Sequence, residues 1–134
     1  MAESPRYLVF GGKTGWIGQK VLAMLQAKGI TAVAAESRLE RIQDVAAEID
    51  AFKPTHVLNC AGLTGRPNVD WCEDHKDEVV RVNVIGTLAL LDACESRGIH
   101  ITNFATGCVG GGLHAKWLDT CCALPERVCP SGAV

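Results

Sequence analysis

Tyr7-Leu8-Val9-Phe10-Gly11-Gly12-Lys13-Thr14-Gly15-Trp16-Ile17-Gly18 decides how the rest of the chain is read. Its four apolar residues carry the pattern of a buried strand. They run into Gly12-x-x-Gly15-x-x-Gly18, and an apolar helical pattern begins at once. Glycine lets a backbone turn tightly and approach a pyrophosphate with no Cβ in the way. The helix that follows presents unpaired N–H groups and a positive dipole end. A glycine triplet alone is a weak signal. Between a strand and a helix it is a strong one, and it predicts a nucleotide-binding turn. The alternative is a glycine-rich turn without a ligand.

The elements around this turn follow one pattern. Residues 6–10 form the first strand. Over 15–28, Ile17, Val21, Met24, Leu25 and Lys28 fall at helical spacing, and Gly29 suits the left-handed position past the helix end. Residues 30–35, rich in β-branched and small side chains, read as a second strand. Leu39, Ile42, Val45 or Ala46, Ile49 and Phe52 stripe a second helix over 38–52, which Lys53-Pro54 ends. Residues 55–60 are nearly all apolar, as a strand covered on both faces should be. A loop over 61–68 leads to a short helix at 69–75, capped by Asn68 or Asp70. A long helix over 77–97 carries Val82, Ile85, Ala89, Leu90 and Ala93 on one side and stops at Gly98, and 99–105 is a fourth strand.

This alternation predicts an α/β fold, a Rossmann-like doubly wound parallel sheet with strand order 2-1-3-4. The ligand crevice then lies beyond the carboxyl ends of strands one and three, where residues 12–18 and 59–62 converge. Past Cys108 neither periodicity continues. The chain is therefore divided into a half-domain over 1–108 and an irregular, poorly ordered tail over 109–134, with at most a short helix near 114–120.

Composition narrows the function. A chain of 134 residues is one domain, and 48% apolar residues suffice for a core. A net charge of −2 gives no reason to expect nucleic acid or an acidic membrane as partner. No apolar run approaches a membrane span, and Met1 to Pro5 lacks the apolar core of a signal peptide. The expected location is the cytoplasm. Seven cysteines without a Cys-x-x-Cys pair are expected to be free thiols there. Cys108, His114, Cys121, Cys122 and Cys129 crowd the tail, but their spacing fits no usual zinc pattern, so no metal site is assigned.

The motifs together resemble a known family. Residues 12–18, Lys53-Pro54-Thr55-His56-Val57, Asn59-Cys60-Ala61-Gly62, the ten residues from Thr64 to Glu73, Asn83-Val84-Ile85-Gly86-Thr87 and Asn103-Phe104-Ala105-Thr106-Gly107-Cys108 are similar to the extended short-chain dehydrogenase/reductases. Among these, the likeness is to the bifunctional nucleotide-rhamnose synthase/epimerase-reductases, and it spans residues 6–108. Those enzymes take a UDP- or dTDP-4-keto-6-deoxyglucose through 3,5-epimerisation and NADPH-dependent 4-keto reduction.

The resemblance implies roles. Gly12, Thr14, Gly15, Trp16 and Ile17 would hold the pyrophosphate of NADP or NAD. Glu36 would grip a ribose 2′-OH, whereas Arg38 suits a 2′-phosphate and favours NADP; Arg38 reads equally as a solvated first-turn residue. Asn59, Ala61, Gly62 and Leu63 would line the adenosine and nicotinamide-ribose side, and Asn83 would steady the site. Thr106 would hydrogen-bond the substrate oxygen. Cys108 would carry acid/base work in epimerisation, with an inert strand-end thiol as the alternative.

The family pattern also breaks. Reduction there uses the Tyr of Tyr-x-x-x-Lys. This sequence has one tyrosine, Tyr7, and Gly11 stands four places on. The chain thus reads as a truncated relative that binds cofactor and does not reduce by itself, with an incomplete sugar-nucleotide pocket. A frameshift, retained intron or alternative exon would produce the change after Cys108. Two alternatives stand beside this: an epimerase working through Thr106 and Cys108, or a non-enzymatic module pairing with a full-length relative through the open edge of the fourth strand.

Overall fold

A four-stranded parallel sheet carries the structure, a computed structural model that describes residues 4–105. Strand β1 (Arg6–Phe10) lies between β2 (Thr31–Ala34) and β3 (His56–Asn59), and β4 (His100–Asn103) pairs with β3. The order β2-β1-β3-β4 is the doubly wound order expected from the sequence. Register runs Arg6↔Thr31, Tyr7↔His56 and His56↔His100. Thr106, Cys108 and the tail over 109–134 lie outside the described residues.

Strand alternation divides the core into two layers. Leu8, Phe10 and Val57 face helix α2 (Ile42–Phe52) and the helical run that precedes β4, burying Val45, Ile49, Leu90, Ala93 and Cys94 with them. Val9, Ala32 and Leu58 face α1 (Trp16–Ala27) and bury Leu25. Gly29 takes the left-handed conformation just past α1, as expected. Arg97 closes the first layer at its edge: its guanidinium donates to both carboxylate oxygens of Asp50, at 2.7 and 2.9 Å, tying the end of the helical run to α2.

All four helical stretches differ in detail from expectation. In α1 the packed residues are Gly18, Val21, Leu22 and Leu25, while Ile17 and Met24 are exposed. Val21 and Leu25 pack as expected, but the face turns away from Ile17 and Met24 toward Gly18 and Leu22, because a Cβ at Gly18 would run into the Gly11 carbonyl. Helix α2 begins at Ile42, not at residue 38; Leu39 is nonetheless buried, inside the turn that precedes the helix. The short helix after the loop is α3 (Trp71–Asp74), preceded by Asn68, whose side chain accepts the Asp70 N–H at 3.1 Å.

The long helix is α4 (Lys76–Val80), a π-helical segment (Arg81–Gly86) and α5 (Thr87–Glu95) in one run. The wider π turn shifts the stripe. Gly86, Leu90, Ala93 and Cys94 are buried, and Ile85, expected inside, is 58% exposed.

Gly86 meets Leu39 at the narrowest point of this layer. A Cβ there would lie 2.8 Å from Leu39 Cβ and 3.1 Å from its carbonyl oxygen. Gly86→Ala therefore destabilises the fold by about 1–2 kcal/mol, although alanine alone favours a helix by about 1 kcal/mol. Urea unfolding of the variant measures this; a gain in stability refutes the packing argument.

Candidate functional site

The carboxyl ends of β1 and β3 flank the point where strand order reverses, and a groove of about 470 Å³ opens there. Three turns and one helix line it. The first contributes Phe10, Gly11, Lys13, Thr14 and Gly15, the second the stretch Ala35 to Glu40, and the third the stretch Cys60 to Leu63; Val82 comes from the π segment.

The first turn is built by backbone proximity. Gly11 has φ +77°, and a Cβ on it would stand 2.8 Å from the Cys60 carbonyl. A Cβ on Gly15 would lie 2.6 Å from Gly11 O, and one on Gly18 would also run into that oxygen. The Gly15 N–H donates to the same oxygen at 3.0 Å. Gly15 caps α1 with no side-chain hydrogen bond, so the first N–H groups of the helix keep their capacity for an anion.

The second turn is held from α2. The Glu48 carboxylate accepts the Glu36 N–H at 2.7 Å, the Ser37 N–H at 2.9 Å and the Ser37 hydroxyl at 2.5 Å. Partial burial works against its charge. The Ser37 hydroxyl, the two backbone N–H groups and the Lys13 charge outweigh that, and hold the carboxyl below the usual glutamate range. Lys13 pairs with Glu36 and so bridges the first and second turns; both side chains are more than half exposed, which keeps the pair weak. Arg38 lines the groove with no ion pair to a described residue.

The third turn is clamped twice. Asn59, 1% exposed, donates to Asn103 Oδ1 at 2.8 Å and accepts the Ala61 N–H at 3.1 Å. Asn83, in the π segment, accepts the Leu63 N–H at 2.7 Å and donates to the Leu63 carbonyl at 3.0 Å. Burial pushes the Cys60 thiol up, so it remains a neutral wall of the groove.

Of the residues expected from the sequence, Thr14, Gly15, Glu36, Arg38, Ala61, Gly62 and Leu63 line the groove together. Gly12 packs beneath it, where a Cβ would meet Ala34 Cβ at 3.0 Å. Trp16, 73% exposed, and Ile17 are the first residues of α1, and their side chains do not line the groove. Asn59 and Asn83 stand behind the groove and hold its third turn. Thr106 and Cys108 lie outside the described residues. Sequence reasoning missed Gly11, Lys13, Ser37 and Glu48. The doubled glycine was the available signal for Gly11; Glu48 gave none, being one of several acids on the polar face of α2.

A parallel sheet wound in this order, with a glycine turn opening onto a helix at the switch point, defines a Rossmann-like α/β protein. Residues 6–127 match the family described as RmlD substrate binding domain, and the chain belongs to that family. The match continues past Cys108, where the sequence analysis ended the likeness. The chain is 49% identical over 128 residues to a bifunctional dTDP-4-dehydrorhamnose 3,5-epimerase/dTDP-4-dehydrorhamnose reductase of Arabidopsis thaliana, covering 89% of this chain and 42% of that protein. It superposes on the crystal structure of a UDP-rhamnose synthase from Acanthamoeba polyphaga mimivirus with a TM-score of 0.76 and 35% identity, over 82% of this chain and 40% of the other. A UDP-glucose 4-epimerase of Thermus thermophilus in complex with NAD gives a TM-score of 0.63 at 26% identity, over 70% of this chain and 35% of the other. The chain thus spans under half the length of the curated relative.

Two outcomes follow from the clamps. Asn83→Ala frees the Leu63 amide, which then exchanges with solvent about tenfold faster, as hydrogen exchange reads directly; unchanged exchange would remove the clamp from the argument. In an NMR titration, the Glu48 carboxyl has a midpoint below the usual glutamate range, and the Glu36 and Ser37 amides shift with that midpoint. Because the folded value is depressed, this contribution to stability is present above the unfolded midpoint and is lost as pH falls through the folded one.

Proposed function

We propose that this chain is the cofactor-binding portion of a nucleotide-sugar epimerase/4-reductase of UDP- or dTDP-rhamnose synthesis, that it binds NADP in preference to NAD, and that it works in the cytoplasm. The observation that carries the reading is the first turn: Gly11, Gly15 and Gly18 permit a main-chain approach that any Cβ would block, and this sets the uncapped start of α1 at the switch point where the groove opens. Thr14, Gly15 and the backbone N–H groups of Trp16 and Ile17 would hold the pyrophosphate there, with Gly12 beneath. Ala61, Gly62 and Leu63 would face the nicotinamide side.

The preference for NADP rests on charge. Glu36, the residue that would accept from a ribose 2′-OH, is engaged by Lys13, whereas Arg38 has no ionic partner among the described residues. A 2′-phosphate supplies the anion that Arg38 lacks. When bound, the cofactor supplies hydride. Asn59 and Asn83 fix the loop against which its ring would lie, and Thr106 and Cys108 take the substrate-oxygen and acid/base roles.

This sequence contains no Tyr-x-x-x-Lys, so the chain by itself binds cofactor without reducing a 4-keto sugar. A second reading has one observation in its favour: among the described residues β4 pairs only with β3, which leaves an edge that a full-length relative could extend. Co-purification with such a relative tests it, and consistent failure to co-purify rejects it.

Fluorescence titration with NADPH and NADH tests the main reading. NADPH binds more tightly, Arg38→Ala narrows the gap about tenfold, and no NADPH is consumed with UDP-4-keto-6-deoxyglucose. A folded sample that binds neither dinucleotide rejects the reading.

A further inference from the structure

We propose that Glu48 is a positioning residue for the ribose end of the nucleotide, and that it sets the selectivity of the groove without touching the ligand; this rests on the cofactor reading above. Glu48 does not line the groove. It stands behind it on α2 and takes three donors from two successive residues, the N–H groups of Glu36 and Ser37 and the Ser37 hydroxyl.

Two consecutive N–H groups and a hydroxyl converging on one point make an anion site. Here an internal carboxylate fills that site. The turn therefore has these three donors already satisfied. What it offers the groove is its charged side chains, Glu36, Arg38 and Glu40. Glu36 is held in turn by Lys13. Arg38 is the cation among them, exposed and without an ion pair to a described residue, and the backbone that carries it is fixed by Glu48. The turn runs from the end of β2 to the late start of α2 at Ile42, and the Arg41 N–H closes on the Arg38 carbonyl at 2.9 Å. Glu48 thus ties the segment carrying Arg38 to the body of α2, next to Val45 and Ile49 in the core.

The consequence is a selectivity that depends on a half-buried carboxylate outside the groove lining. Without it, the two N–H groups and the hydroxyl lose their common acceptor and the turn relaxes. The contact most sensitive to that relaxation is the one between Arg38 and a 2′-phosphate, since it depends on a bidentate guanidinium geometry. The pyrophosphate, held by the first turn, is insensitive to it.

The experiment is titration of the full chain with NADPH and with NADH, for the wild type, Glu48→Gln and Glu48→Asp, alongside hydrogen exchange of the ligand-free proteins. Glu48→Gln lowers the ratio of NADPH to NADH affinity about fivefold, on the scale of one weakened charge-assisted hydrogen bond. Exchange at the Glu36 and Ser37 amides rises in the same variant, and Glu48→Asp restores part of both. The sign is diagnostic. Deleting a negative charge acts by itself to favour the more anionic NADPH, and a general loss of stability weakens both dinucleotides alike. An unchanged or increased ratio overturns the proposal, as does unchanged exchange at both amides. A wild-type chain that binds neither dinucleotide is a different result. It rejects the cofactor reading and the selectivity role together, and the amide exchange then reports only whether Glu48 holds the turn.

Discussion

Three stretches of backbone meet at Gly11 with no side chain between them. The end of β1, the end of β3 and the start of α1 come so close that a Cβ at residue 11, 15 or 18 would collide with main-chain atoms. Much else on this side of the sheet is a consequence. The close approach brings the N-terminus of α1 over the strand ends, where a phosphate can use its free N–H groups. It also fixes the rotation of α1 about its axis. Gly18 must face the sheet, so Val21, Leu22 and Leu25 follow it inward, and Trp16 and Ile17 turn outward. A larger residue at any of these three glycines would separate the helix from the strands and open the groove at its base.

Around that fixed turn, polar side chains hold what the sheet ladder cannot. Beyond the strand ends the backbone loses its neighbours, and its donors and acceptors need other partners. Asn59 reaches forward to Ala61 and sideways to Asn103, so one buried amide sets the exit of β3 and its spacing from β4. Asn83 brackets Leu63 from the π segment. Glu48 brackets Glu36 and Ser37 from α2. Each such bond contributes about 1 kcal/mol net, which is small beside the core. Their effect is on geometry, because each fixes a loop that lines the groove to an element already anchored in the core.

The sheet order was legible in the sequence because short links between alternating elements, together with right-handed crossovers, leave few ways to wind four strands. The glycine turn was legible for its context. The rotation of α1 was not, since Ile17 and Met24 satisfy helical periodicity as well as Gly18 and Leu22 do, and only the steric demand at Gly18 decides between them. The start of α2 was misplaced because Leu39 is apolar and in phase, yet it is buried from within a turn. The π segment has no local signature: it is imposed where Gly86 must pass Leu39 and Asn83 must face Leu63. The extent of the family likeness was also underestimated. The glycine run after Cys108 interrupts the motif-by-motif comparison, whereas the family match runs on to residue 127.

The position of the one tyrosine bears on what such a groove can do alone. Tyr7 lies near the amino end of β1, in register with Ala32 and His56, and its ring stacks on His56 with centroids 4.7 Å apart. The groove opens at the other end of the same strand, beyond Phe10. Three residues of strand separate them, about 10 Å, and proton transfer requires hydrogen-bond contact or a single bridging water. Tyr7 is therefore part of the sheet packing and no donor to the groove. On the proposed reading, binding and reduction are separable in this fold. On that reading the first four strands would supply the cofactor groove, and Tyr7 does not supply the proton that completes a carbonyl reduction.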